Sequence, residues 1–170
     1  MGSVNAQADR TFMPDPSVLI DYRDSCLWAL TLFSLHVAPI YAVRQVLSLA
    51  KIQADECAEL AIGIIDPDTS ALLEAGQLSS SLGFEESLCC LVCRTFHYTC
   101  VTNDYVLARC CTAAGITVVG GLDLLGCLVR VGSLPPVKAS AAAHAMRTSD
   151  PCHITSEALS AFDECLDLND

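Results

Sequence analysis

Five short runs of β-forming residues, each leading into a longer stretch of helical periodicity, set the tightest limit on how this chain can fold. The strand candidates are Thr11 to Pro14, Val37 to Ala42, Ala61 to Ile65, Thr99 to Thr102 and Ile116 to Val119. Helical stretches follow at Ser17 to Phe33, Val43 to Glu59, Thr69 to Leu78, Phe84 to Phe96 and Tyr105 to Ala114. Beyond the last strand come Asp123 to Val131, Val137 to Arg147 and Ser156 to Leu166. Strands that alternate with helices build βαβ units, which pair in parallel and need helices over both faces of the sheet. The expected fold class is therefore α/β, with three layers (α/β/α), a mostly parallel central sheet of about five strands and a helical C-terminal extension. Local punctuation agrees. Gly115 stands where a left-handed helix end is expected, and Ser81 or Gly83 precedes the Phe84 helix, whose first turn holds Glu85 and Glu86. Pro135-Pro136 and Thr155-Ser156-Glu157 open the last two helices.

At 170 residues with 52% hydrophobic content, one complete core is the natural outcome. The division expected is a lead-in at residues 1–10, the α/β domain at 11–134 and a helical extension at 135–170 packed on the same domain. No apolar run reaches the roughly 18 residues that span a bilayer. The segment MGSVNAQADRTF has neither a basic start nor an apolar core, so a cytoplasmic location without membrane contact is expected. The net charge is −11, and the nine basic residues form no cluster, which argues against a general nucleic-acid coat. Eleven cysteines is an odd number, and most lie in apolar segments. They read as small core hydrophobes; the Cys90/Cys93 C-x-x-C pair lacks the second pair that a structural zinc site would want.

Ligands of open α/β sheets bind outside the carboxyl ends of the strands. Asp15 follows the first strand, Asp104 follows the fourth, and Glu86 lies one turn into the helix that feeds the fourth. Oxygen donors of this kind suit Mg²⁺ or Mn²⁺. Elsewhere, Asp21, Arg23 and Asp24 read as a solvated helix face, Asp66 and Asp68 as turn formers, and Asp123 as a helix cap. His36, His97, His144 and His153 show no paired ligand spacing and receive no chemistry. No G-x-S-x-G elbow, P-loop or G-x-G-x-x-G fingerprint is present.

Asp15-Pro16-Ser17-Val18-Leu19-Ile20, Leu82 to Leu88 and Thr102-Asn103-Asp104 resemble, in that order, the opening D-[TS]-[SN]-V-L-I motif, the L-S-F-x-D-A-x block and the T-N-D motif of PIN domains. The succession from Gly115 through Gly120-Gly121-Leu122-Asp123 to the Ile154-Thr155-Ser156-Glu157 helix resembles prokaryotic PIN proteins related to VapC-type toxins. The resemblance implies a Mg²⁺- or Mn²⁺-dependent ribonuclease acting on RNA, with a homodimer and a cognate antitoxin as partners. It places Asp15, Glu86 and Asp104 as catalytic metal ligands, with Gln45, Asn103, Ser17 and Thr102 in support. Glu86 stands where the family usually has Asp, and Gln45 where it has a second acid. The alternative is a non-catalytic PIN-like module that binds RNA or protein; a cysteine-based metal or redox protein is a third reading.

Overall fold

The computed structural model describes residues 10–78 and 82–167. Residues 1–9 of the expected lead-in, and Ser81 as a helix cap, lie outside them. Five strands form one sheet: β1 (Phe12–Pro14), β2 (Ile40–Val43), β3 (Ile62–Ile65), β4 (Thr99–Val101) and β5 (Val118–Val119). Their order is β3-β2-β1-β4-β5, and every pairing is parallel, as expected. The chain moves outward from β1 to β3, returns across the sheet to β4 and continues to β5. Crossovers between parallel strands are right-handed, so connections running in opposite directions place their helices on opposite faces. Helices α1 (Pro16–Ser25), α2 (Leu27–His36), α3 (Arg44–Leu49) and α4 (Ala54–Glu59) therefore cover one face. The other carries α5 (Thr69–Leu78), α6 (Phe84–Phe96) and α7 (Tyr105–Ala113). The chain ends in α8 (Gly121–Arg130), α9 (Pro136–Ser149) and α10 (Ser156–Asp167). α9 packs on α1 and α8, and α10 packs on α9 and α8. No helix among the described residues is long and apolar enough to cross a membrane.

The clearest departures from the sequence expectation are two broken helices and two late strand starts. The helix expected at Ser17 to Phe33 is two, broken at Cys26, whose φ of −159° is extended. No Gly or Pro marks that break; the Cys26 amide still closes on the Tyr22 carbonyl at 2.8 Å before the chain turns away. The helix expected at Val43 to Glu59 also divides, with Lys51 in the left-handed region at φ 56° between α3 and α4. The second strand starts later than Val37, because the Val37 and Ala38 amides both bond the Phe33 carbonyl and complete α2. Ile116 likewise closes the end of α7 by donating to Cys111 at 2.9 Å, so β5 starts beyond it. Gly115 takes the expected left-handed conformation at φ 76°, Pro136 opens α9, and the Asp123 carboxylate caps α8 by accepting from the Gly120 amide at 2.7 Å.

The core is continuous across both layers, with Phe12 and Phe33 meeting edge to face at 5.0 Å. Seven of the eleven cysteines are buried and behave as core hydrophobes. One buried polar contact locks two helices together: the Tyr22 hydroxyl donates to the Gly121 carbonyl at 2.8 Å, tying α1 to the start of α8. Tyr22→Phe removes that bond and should cost about 1 kcal/mol in chemical denaturation. An unchanged midpoint would show that water replaces the hydroxyl.

Candidate functional site

The strand order reverses between β1 and β4, and the crevice at such a reversal is where open α/β sheets place ligands. Beyond each strand an acid opens the next helix, Asp15 after β1 and Asp104 after β4. The Asp15 amide donates to the Val101 carbonyl at 2.9 Å, so the last bond of the β1–β4 ladder fixes where its side chain emerges. Asp15 then caps α1, its Oδ1 accepting from the Val18 amide and the Ser17 hydroxyl, both at 2.8 Å. The Thr102 hydroxyl donates to Oδ2 at 2.5 Å. That hydroxyl also accepts from the Asp104 amide at 3.0 Å, so a single oxygen links the two acids. Asp104 caps α7 in turn, its Oδ1 accepting from Val106 and Leu107 at 2.7 and 2.9 Å. Between them, Asn103 Oδ1 accepts from the Gly121 amide at 2.8 Å. A Cβ on Gly121 would stand 3.0 Å from Asn103 Nδ2, so this glycine leaves room for the amide head.

The electrostatics are those of acids crowded together. Asp15 is 1% exposed. Burial pushes its pKa up; the donors on Thr102, Val18 and Ser17 oppose this, and the Asp104 charge adds to it. Asp21, also 1% exposed, joins the group from α1, which corrects its reading as a solvated face. Its pKa is pushed up to about 7 by burial and then by Asp150, with Asp15 contributing, while His153 and Asn103 act against them. Asp21 Oδ2 and Asn103 Nδ2 are buried and lack a well-formed hydrogen bond. His153 bonds Asp150 at 2.6 Å, a contact that raises the imidazole pKa, and Asp104 and Asp21 raise it further.

A search of solved structures returns a PilT N-terminus (PIN) domain protein from the hyperthermophilic archaeon Sulfolobus solfataricus P2. The TM-score is 0.53 and the identity 13%, over 69% of this chain and 92% of that one. The fold is PIN-like. No protein-family model and no curated protein matches the sequence.

Within the PIN-like frame, Asp15, Ser17, Thr102, Asn103 and Asp104 converge as the sequence suggested. Glu86 turns its carboxylate back over the start of its own helix, where a Cβ on Gly83 would collide with Oε2. The buried thiol of Cys89 lies within electrostatic range of both Glu86 and Asp15. Gln45, the second residue of α3, has its Oε1 buried without a hydrogen-bond partner. Neighbouring Arg44 pairs instead with exposed Asp66, and Asp68 caps α5 through the Ala71 amide at 2.8 Å.

Sequence reasoning missed Asp21 and His153. Asp21 was detectable, because Val18, Asp21 and Tyr22 follow the i, i+3, i+4 spacing of a buried stripe. His153 carried no such signal, since only the docking of the C-terminal segment brings it near Asp104. Among the described residues, no three Asp, Glu, His or Cys side chains are grouped so as to hold a metal ion. Asp15 and Asp104 offer carboxylate oxygens of the kind a hard divalent cation prefers. Mg²⁺ commonly takes one or two carboxylates and fills its other positions with water and substrate oxygens. Mutually repelling buried acids, with an unpartnered oxygen on Asp21, are also a charge distribution that a cation relieves.

Proposed function

We propose that this chain is a divalent-metal-dependent endoribonuclease that cuts RNA phosphodiester bonds, as the toxin half of a toxin–antitoxin pair. The observation that carries this reading is the joining of Asp15 to Asp104 through one Thr102 hydroxyl at the reversal of strand order. Asp15 and Asp104 hold Mg²⁺ or Mn²⁺, with Glu86 as the third acid and Gln45 offering a neutral amide oxygen. Ser17 and Thr102 fix the Asp15 carboxylate in one orientation, so it need not reorganise when charge develops nearby. Asn103 anchors the loop that sets Asp104 by gripping the start of α8. When bound, the ion supplies an activated water and stabilises negative charge on the phosphoryl oxygens. Function as a homodimer, and inhibition by a cognate antitoxin, belong to the same proposal.

A non-catalytic PIN-like binding module is the second reading. It is favoured by the neutral side chain at Gln45 and by the lack of a three-ligand cluster among the described residues. One assay separates the two. Purified protein incubated with single-stranded RNA should cut it in Mn²⁺ or Mg²⁺ and stop in EDTA. Intact RNA under every metal condition would rule the nuclease out, and cutting that persists in EDTA would rule out the metal.

A further inference from the structure

Beside Asn103 and Gly120, at the carboxyl ends of β4 and β5, a cavity of about 360 Å³ opens between α8, α10 and the turn that carries His153. Its walls are mainly apolar, drawn from Leu122 on α8 and from Ala158 and Phe162 on α10. Three flat side chains also border it: the Phe162 ring, the His153 imidazole and the Arg130 guanidinium. Two of them converge on a bare patch of α8. A Cβ on Gly126 would lie 3.4 Å from Arg130 Nη1 and 3.7 Å from Phe162 Cε2. The bond from Asp150 at 2.6 Å fixes the imidazole, which lies within electrostatic range of Asp104. The cavity thus adjoins the acid pair and is closed by the C-terminal helices.

We propose that this cavity seats one unpaired base of an RNA strand, next to the bond presented to Asp15 and Asp104. The proposal rests on the nuclease reading and names how that site would grip its substrate. Charge makes such a grip necessary. With a net charge of −11, the surface repels a phosphate backbone, so neutralising phosphates cannot supply most of the affinity. A nucleobase is neutral and flat, and unpaired bases stack on aromatic rings and on Arg planes. Arg130, His153, Asn103 and Asp123 set polar groups around a mainly apolar recess, the usual plan of a small-ligand pocket. Volume limits the occupant as well. Ligand pockets run from roughly 300 to 1,000 Å³, and this one lies at the small end, suited to a base with its sugar rather than to a peptide segment.

The test uses the full chain in EDTA, titrated by calorimetry or by NMR shifts with each of the four ribonucleoside 5′-monophosphates. Inorganic phosphate serves as the control. At least one nucleotide should bind while phosphate does not. Ala158→Trp, which fills the cavity from α10, should weaken that binding about tenfold or more, and Phe162→Leu should weaken it by a smaller factor. His153→Gln provides a second route to the same loss if the tryptophan variant fails to fold. The proposal is overturned if none of the four nucleotides binds, or if phosphate alone binds as well as they do. It is also overturned if folded Ala158→Trp binds like the parent; a peptide-binding cavity would give the first of these results. RNA cleavage with an unchanged KM in Ala158→Trp would remove the base site and leave the nuclease standing. Nucleotide binding with no RNA cleavage would keep the base site and remove the nuclease.

Discussion

Asp104→Asn should abolish metal-dependent RNA cleavage while leaving the melting temperature within about 2 °C of the parent. The substitution is unusually clean, because Asp104 has two jobs and asparagine can do one of them. Its Oδ1 accepts from Val106 and Leu107 at the start of α7, and Asn is as good an N-cap as Asp. What disappears is one unit of negative charge beside Asp15. Loss of outer-shell support at a metal site typically costs 10–100-fold, so loss of a ligand should cost more than about a hundredfold in activity. Steady-state cleavage in Mn²⁺ and a thermal melt of the same sample check both halves. Retained cleavage would remove Asp104 from the site. Asp104→Ala is the less informative change, since it also deletes the cap and should lower stability by about 1 kcal/mol.

The second large effect concerns pH. The metal-free protein should lose stability as pH rises from about 4 to about 7, because Asp21 is harder to ionise folded than unfolded. Its carboxyl titrates near 3.8 in the unfolded chain and near 7 in the fold, so between those values the folded state holds a proton that the unfolded state has released. A shift of that size corresponds to roughly 4 kcal/mol. Asp15 is displaced in the same direction, chiefly by burial. His153 acts with the same sign: its raised pKa lends stability that is full below 6.5 and fades as the ring deprotonates. The depressed Asp150 works the other way, but its contribution is lost only as pH falls through its lowered pKa, below this window. Urea titrations from pH 4 to pH 8 in EDTA measure the slope, and Asp21→Asn should remove most of it. Stability that rises across this interval would contradict the burial of Asp21 in the fold. Mn²⁺ should flatten the slope if the acids share an ion.

What could be read in advance divides along a physical line. The strand–helix alternation and the acids at strand ends are properties of short windows, and so Asp15, Thr102 and Asp104 could be placed at one sheet edge before any coordinates. Both helix breaks were hidden, because neither Cys26 nor Ala50-Lys51 is a residue with a local preference for turning. Tertiary packing overrules propensity there. Asp21 was misread because its charge was given more weight than its spacing from Val18 and Tyr22. Glu86 was placed by its position one turn into a helix and by motif order, and neither says anything about a side chain that folds back over its own helix start. His153 needed the docking of α9 and α10, a long-range event that leaves no mark in any window around residue 153.

The Thr102–Asp15 bond spans 87 positions in the chain. A polypeptide still being made has β1 long before it has β4, and β1 alone cannot recruit the second acid. The chain would have to be extruded past Asp104 before both carboxylates could meet, and further still before α8 could grip Asn103. On the nuclease reading, the growing chain is inert for most of its synthesis, at the time when it lies closest to ribosomal and messenger RNA. Delay of this kind is built into the connectivity and needs no inhibitor to enforce it.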